Sequence, residues 1–314
     1  LSALSDVDAK VYIDDGGVGT ATADADYTLA TTEVTVLAGQ TTGTFDILIK
    51  GDLTDEDPQT FTISLTLPVT DVSLGVQTTQ LVTIIDNDDP PTISIDPATS
   101  TTNINESVVS ASFIFSLDLA SEKDVSIDYA VDPTATTSAT LGQDYSGLAS
   151  SGTITMQAGT TDTTFTVTII GDVVDEENQT ITLDLSSGTE SNVSMSSQFN
   201  SHTITILDDD DGPEVYFATS ISNNDEGNSG TNTIRSFTVT MTDTSEQTVT
   251  IPYPISASGS HPATLDSDYS SAASSVSISP GSGTSTADIS VTILGDNVDE
   301  YDQTITIGLG PTSD

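Results

Sequence analysis

The chain has 314 residues and a formal net charge of -44, from 48 Asp+Glu against 4 Lys+Arg, with no cysteine. Lys10, Lys50, Lys123 and Arg235 are its strong bases. They cannot build the basic face that nucleic-acid phosphates or anionic lipid require, and any staple must be a metal or packing rather than a disulfide. Nor does an apolar run approach the ~18 residues of a membrane span.

Low hydrophobicity with high charge is also the signature of disorder, but here the apolar residues are strictly patterned. In chain order, alternation marks strands at Phe45–Ile49 and Phe61–Leu65, then at Phe165–Ile169, Ile181–Leu185 and His202–Ile206, and again at Ile289–Ile293 and Ile305–Ile307. Period two, β-branched residues and threonine on the wet face predict half-buried antiparallel strands. Turn clusters such as Ala158-Gly159-Thr160 separate them, and no helix is predicted. The expected fold class is all-β, a series of immunoglobulin-sized β-sandwich modules arranged end to end.

An acidic turn sets the period. It reads Gly51-Asp52-Leu53-Thr54-Asp55-Glu56, then Gly171-Asp172-Val173-Val174-Asp175-Glu176, then Gly295-Asp296-Asn297-Val298-Asp299-Glu300. The steps, 171−51 = 120 and 295−171 = 124 residues, are each one domain long. Short acidic linkers, Asp86-Asn87-Asp88-Asp89-Pro90-Pro91 and Asp208-Asp209-Asp210-Asp211-Gly212-Pro213, divide the chain into modules at 1–89, 90–211 and 212–314. They are too short and too proline-bound to act as floppy tethers. Register with the middle module predicts that the first module is N-terminally incomplete and the third C-terminally incomplete, as expected of a window on a longer protein.

Four acidic elements recur in register: an early glutamate (Glu106, Glu226), an Asp-Tyr pair (Asp26-Tyr27, Asp144-Tyr145, Asp268-Tyr269), the turn, and the linker. Loops at one end of a sandwich converge, so these elements can share a site. Two unit charges 4 Å apart repel by about 1 kcal/mol in water and about 4 kcal/mol at an effective dielectric of 20. A bridging cation removes that cost. Oxygen donors without histidine or cysteine select calcium over zinc or copper, and magnesium prefers to keep its waters. Tyr27, Tyr145 and Tyr269 read as packing residues, and His202 and His261 as ordinary strand or loop histidines. No Gly-x-Ser-x-Gly elbow supports a hydrolase, and acids copied in tandem do not resemble one catalytic pair, so an enzyme is not expected.

The run Ile169–Gln179, the strand and linker Thr203–Asp210, and the upstream Asp144-Tyr145 together resemble the Calx-beta motif, over the whole chain as three repeats. The resemblance implies a β-sandwich, and in calcium-binding members an ion site at the loops near the next domain. Residue by residue it implies calcium ligands at Glu106, Asp144, Asp172, the Val174 carbonyl, Glu176, Asp208, Asp209 and Asp210 in the middle module. In the first it implies Asp26, Asp52, the Thr54 carbonyl, Glu56, Asp86 and Asp88. In the third it implies Glu226, Asp268, Asp296, the Val298 carbonyl and Glu300. Gly51, Gly171 and Gly295 stand where the family members found in sodium/calcium exchangers carry another carboxylate, a departure from the full multi-ion cluster. The expected function is an extracellular, secreted or cell-surface stalk or fibre segment stiffened by Ca2+, in contact with its neighbouring modules and with copies of itself or cell-surface glycans and proteins. The alternatives are a filament subunit pairing by edge strands and a calcium-sensing segment of a transporter.

Overall fold

The computed structural model describes residues 1–67, 72–134, 137–220, 222–243, 245–280 and 285–312. Among these the regular structure is all β-strand, and no helix is long and apolar enough to cross a membrane.

The middle part is a sandwich of two five-stranded sheets. One runs in the order Ser151–Met156, Val125–Asp132, Gln179–Leu185, Ser201–Leu207 and Asn103–Asn105. The other runs Tyr145–Ser146, Asp162–Ile169, Ser110–Leu117, Thr92–Ile95 and Ser194–Met195. Alternation builds the core directly: Val125, Ile127 and Tyr129 point inward from one sheet, and Ala111, Phe113, Phe115 and Leu117 from the other. Phe165 meets both Phe115 and Tyr129 edge-on, with ring centroids 5.0 and 5.5 Å apart, the favourable geometry for aromatic rings.

The flanking parts repeat this plan with smaller sheets. The first has the order Glu33–Val36, Ala9–Gly19, Gln59–Thr66 and Thr79–Ile84, beside a pair formed by Tyr27–Thr28 and Leu48–Ile49. Its core is Ile13, Tyr27, Phe61 and Ile63, with Tyr27 stacked on Phe61 at 3.8 Å. The third sets Val215–Phe217, Thr233–Met241, Thr286–Ile293 and Tyr269–Ser270 in one sheet, over a separate apolar cluster that includes Val239, Ile251, Ile289 and Val291. The predicted strand at Phe45–Ile49 shrinks to Leu48–Ile49, because its ladder partner is only the two residues Tyr27–Thr28; Phe45 and Ile47 still pack on the core. The other predicted strands lie within observed ones.

Among the described strands two pairings are parallel, and one of them builds the site. Ser201–Leu207 runs parallel to Asn103–Asn105, with Leu207 opposite Asn105. Parallel strands end at the same edge of a sheet. The residues that follow, Glu106 and Asp208, therefore emerge side by side although 208−106 = 102 positions separate them, and the Glu106 N–H donates to the Leu207 carbonyl at 3.0 Å.

Candidate metal centre

At that edge the carboxylates of Glu106, Asp208 and Asp210 each place an oxygen within 4.8 Å of the others. Glu106 is the anomaly. It is 7% exposed, and its Oε1 is buried without a hydrogen-bond donor, as are Oδ1 of Asp208 and Oδ2 of Asp210. A buried carboxylate without a partner is strongly disfavoured, so the group must acquire a proton or a cation. Burial, then the facing Asp210 carboxyl, then Asp208 and Glu176, push Glu106 up to about 8. Burial, then Glu246, Asp144, Asp172 and Asp208, push Glu176 up to about 7.

The glycine of the turn has a steric reason. A Cβ on Gly171 would sit 2.7 Å from the Glu106 carbonyl oxygen, so the turn can press against the strand end carrying Glu106 only without a side chain. Gly295 is likewise crowded, 2.8 Å from the Asn228 and Thr231 carbonyls.

The other residues read from the sequence fall into place less tightly. Asp144 caps its own loop by accepting the Thr140 N–H at 2.5 Å, as Asp26 does from Thr22 and Asp268 from Thr264, each at 2.5 Å. Asp172 accepts the Val174 N–H at 2.8 Å, Asp52 that of Thr54 at 2.7 Å, and Asp296 that of Val298 at 2.6 Å, so one Asx turn shapes all three acidic turns. Asp209 is exposed and accepts from the Ser107 hydroxyl at 2.6 Å. In the first module Asp86 accepts from the N–H groups of Glu56 at 3.2 Å and Asp88 at 3.4 Å. In the third, desolvation and then Asp268, Asp296 and Glu226 raise the Glu300 carboxyl, which places these four acids in one field. Among the described residues only Glu106, Asp208 and Asp210 form so close a group of three.

Two contributors escape the sequence reading. Gln59, Gln179 and Gln303 each donate to the turn glutamate three residues earlier, at 2.9, 2.6 and 2.9 Å, and hold its carboxylate in place. The repeated Glu-x-x-Gln is visible in the sequence, but its amide is aimed back by the backbone at or just before the strand start. The other is a clasp between modules. Asp55 pairs with Ser121, and Asp175 with Ser245, as short parallel bridges. All four residues are buried. The N–H of Glu122 donates to the Asp55 carbonyl at 3.1 Å, and that of Glu246 to the Asp175 carbonyl at 3.1 Å. The serine hydroxyls donate to the aspartate carboxylates at 3.2 and 2.9 Å. A Ser-Glu pair recurring at 121 and 245 is the only sequence signal of this contact.

The donor set is all oxygen and strongly anionic, which suits a hard divalent cation and not a soft one. The residues present fit such an ion, because it would satisfy three buried oxygens that lack a donor.

The chain is similar to CBD12 from CALX1.2, at 21% identity over 69% of this chain and 80% of that one, with a TM-score of 0.32. It is similar to the apo-form Calx CBD1 domain at 20% identity, over 39% of this chain and 100% of that one, with a TM-score of 0.32. It is also similar to the calcium binding domain CBD12 of CALX1.1, at 18% identity over 69% and 79% of the two chains, with a TM-score of 0.32. Comparison with curated proteins gave no match. The Calx-beta domain profile matches three times, at residues 10–88, 86–210 and 213–314, and the chain belongs to the Calx-beta domain family.

Proposed function

We propose that this chain is a segment of an extracellular structural or adhesive stalk, whose modules at 1–89, 90–211 and 212–314 are fixed end to end by calcium at their acidic junctions. The observation that carries the reading is the buried, donorless Glu106 oxygen facing Asp208 and Asp210. Calcium satisfies these oxygens and recruits the acids around them: Glu176, Asp144 and Asp172 from the loops, with the Val174 carbonyl and Asp209 completing the shell. The sets Asp26, Asp52, Thr54, Glu56, Asp86, Asp88 and Glu226, Asp268, Asp296, Val298, Glu300 are the ligands that the same reading gives the other modules.

The turn whose Glu176 faces the cluster also carries Asp175, which grips Ser245 of the next module. Ordering the turn therefore orders the joint, and binding energy becomes rigidity. The role is mechanical rather than catalytic. Affinity in the ~10⁻⁴–10⁻³ M range of extracellular modules suits an environment rich in calcium.

Small-angle scattering of the chain in calcium and then in chelator tests the reading. The expected result is a longer, narrower distance distribution and a higher melting temperature in calcium. Identical curves and identical melting would overturn it.

A further inference from the structure

We propose that the two joints differ in their need for a divalent cation. The Lys123 ammonium locks the joint between the first and second modules by itself, whereas the joint between the second and third, with Gln247 at that place, holds its geometry only with a cation among its carboxylates. The inference rests on the calcium reading above and assigns the positioning role to Lys123.

The two joints are built alike. Lys123 and Gln247 each lie two residues after the clasp serine, and each backbone N–H donates to that serine's Oγ at 3.0 Å. Asp86 and Asp208 are also counterparts, since each accepts the backbone N–H of the turn glutamate before it, Glu56 or Glu176. The neutralising group differs, and so does the linker, with Asn87 where the second joint carries Asp209. Lys123 Nζ lies 2.7 Å from Asp55 Oδ1 and 3.9 Å from Asp86 Oδ2, with its side chain 19% exposed. One ammonium thus ties the turn and linker of the first module to the loop of the second that joins Ser110–Leu117 to Val125–Asp132. A partly buried pair of this kind is screened far less by salt than a surface pair.

Gln247 sends its amide instead to the Glu176 carbonyl, at 2.9 Å, and carries no charge. Beside it, Asp175, Glu176, Glu177, Asp208, Asp210 and Asp211 line a polar cavity of about 650 Å³. The following module adds like charge at both joints: Glu122 raises the Glu56 carboxyl and Glu246 raises that of Glu176, after burial in each case. Both joints gather carboxylates, but only the first brings its own cation. Among the described residues no ammonium or guanidinium makes an ion pair at the second.

The chain lacks cysteine, so spin labels can be placed at will on the intact protein. Labels at Thr79→Cys and Thr164→Cys span the first joint, and labels at Thr164→Cys and Thr286→Cys span the second; all three threonines are exposed. Pulsed electron resonance then reads the distance distribution in millimolar calcium and in chelator. The expected result is that the first distribution keeps its width while the second broadens at least about two-fold on removing calcium. Gln247→Lys should keep the second narrow in chelator, and Lys123→Gln should make the first broaden. If both wild-type joints broaden alike, the asymmetry is wrong while calcium stiffening stands. If neither broadens, calcium stiffening itself fails and takes the asymmetry with it. A Gln247→Lys protein that still broadens in chelator also overturns the proposal, and it does so without removing any native contact of Lys123.

Discussion

Replacing Glu106 by glutamine keeps the shape of the side chain and removes the charge that makes the site costly when no ion is bound. Without metal, the wild-type carboxyl titrates near 8 in the folded protein against its ordinary value of 4.5. The folded state therefore holds a proton that the unfolded chain has lost, and each pH unit above 4.5 costs stability about 1.36 kcal/mol until the folded group ionises. At pH 7 the penalty is about 3 kcal/mol. Glutamine does not titrate, and its amide can donate to the Asp210 oxygen that now lacks a partner. At about 3 °C per kcal/mol for a module of this size, Glu106→Gln should raise the middle module's melting point in chelator by roughly 5–10 °C at pH 7. In calcium the gap closes. An ion present at 100 times its dissociation constant adds about 2.7 kcal/mol to the wild type, and the variant should lose most of that increment. Scanning calorimetry in chelator and in calcium reads both effects. A variant that melts lower than wild type in chelator, or that keeps the full calcium increment, refutes the reasoning.

The remaining predictions follow the same geometry. Because Glu106 and Glu176 are raised to about 8 and about 7, the metal-free protein should lose stability as pH rises from about 4.5 to about 8, visible as a falling melting temperature in chelator. Calcium must displace those protons, so its affinity should climb over the same window and calorimetric titration should show buffer-dependent heats of proton release. Gly171→Ala puts a methyl 2.7 Å from the Glu106 carbonyl oxygen; it should cost about 1–3 kcal/mol by denaturant titration and weaken calcium binding together. Phe113→Ala, at a side chain with no exposure, should cost about 3–5 kcal/mol in the middle module and leave the calcium increment of any folded fraction intact.

Much of the fold was legible because alternation is a local property. Phe61, Ile63, Ile181, Ile204 and Ile289 are buried where the period of two puts them. The acidic turn was legible because it repeats, and Tyr27, Tyr145 and Tyr269 are the buried packing residues that their pattern suggests. What stayed hidden depends on pairing. That Asn103–Asn105 lies parallel to Ser201–Leu207 cannot be read from either strand alone, yet it sets Glu106 beside Asp208. Phe45–Ile49 has the alternation of a strand but finds a partner only at Leu48 and Ile49. Asp55 and Asp175 looked like two more members of an acidic turn. Their burial against Ser121 and Ser245 comes from the next module, and neither the period nor the charge pattern shows it. Lys123 was legible only as one of four bases; its weight comes from what stands opposite it.

The most direct measurement is anomalous diffraction from crystals of the chain grown in calcium. The account predicts a calcium peak in contact with Glu106, Asp208 and Asp210, with carboxylate oxygens at about 2.3–2.6 Å. A map with no anomalous peak there, and with Glu106 instead sharing a proton with Asp210, would contradict it.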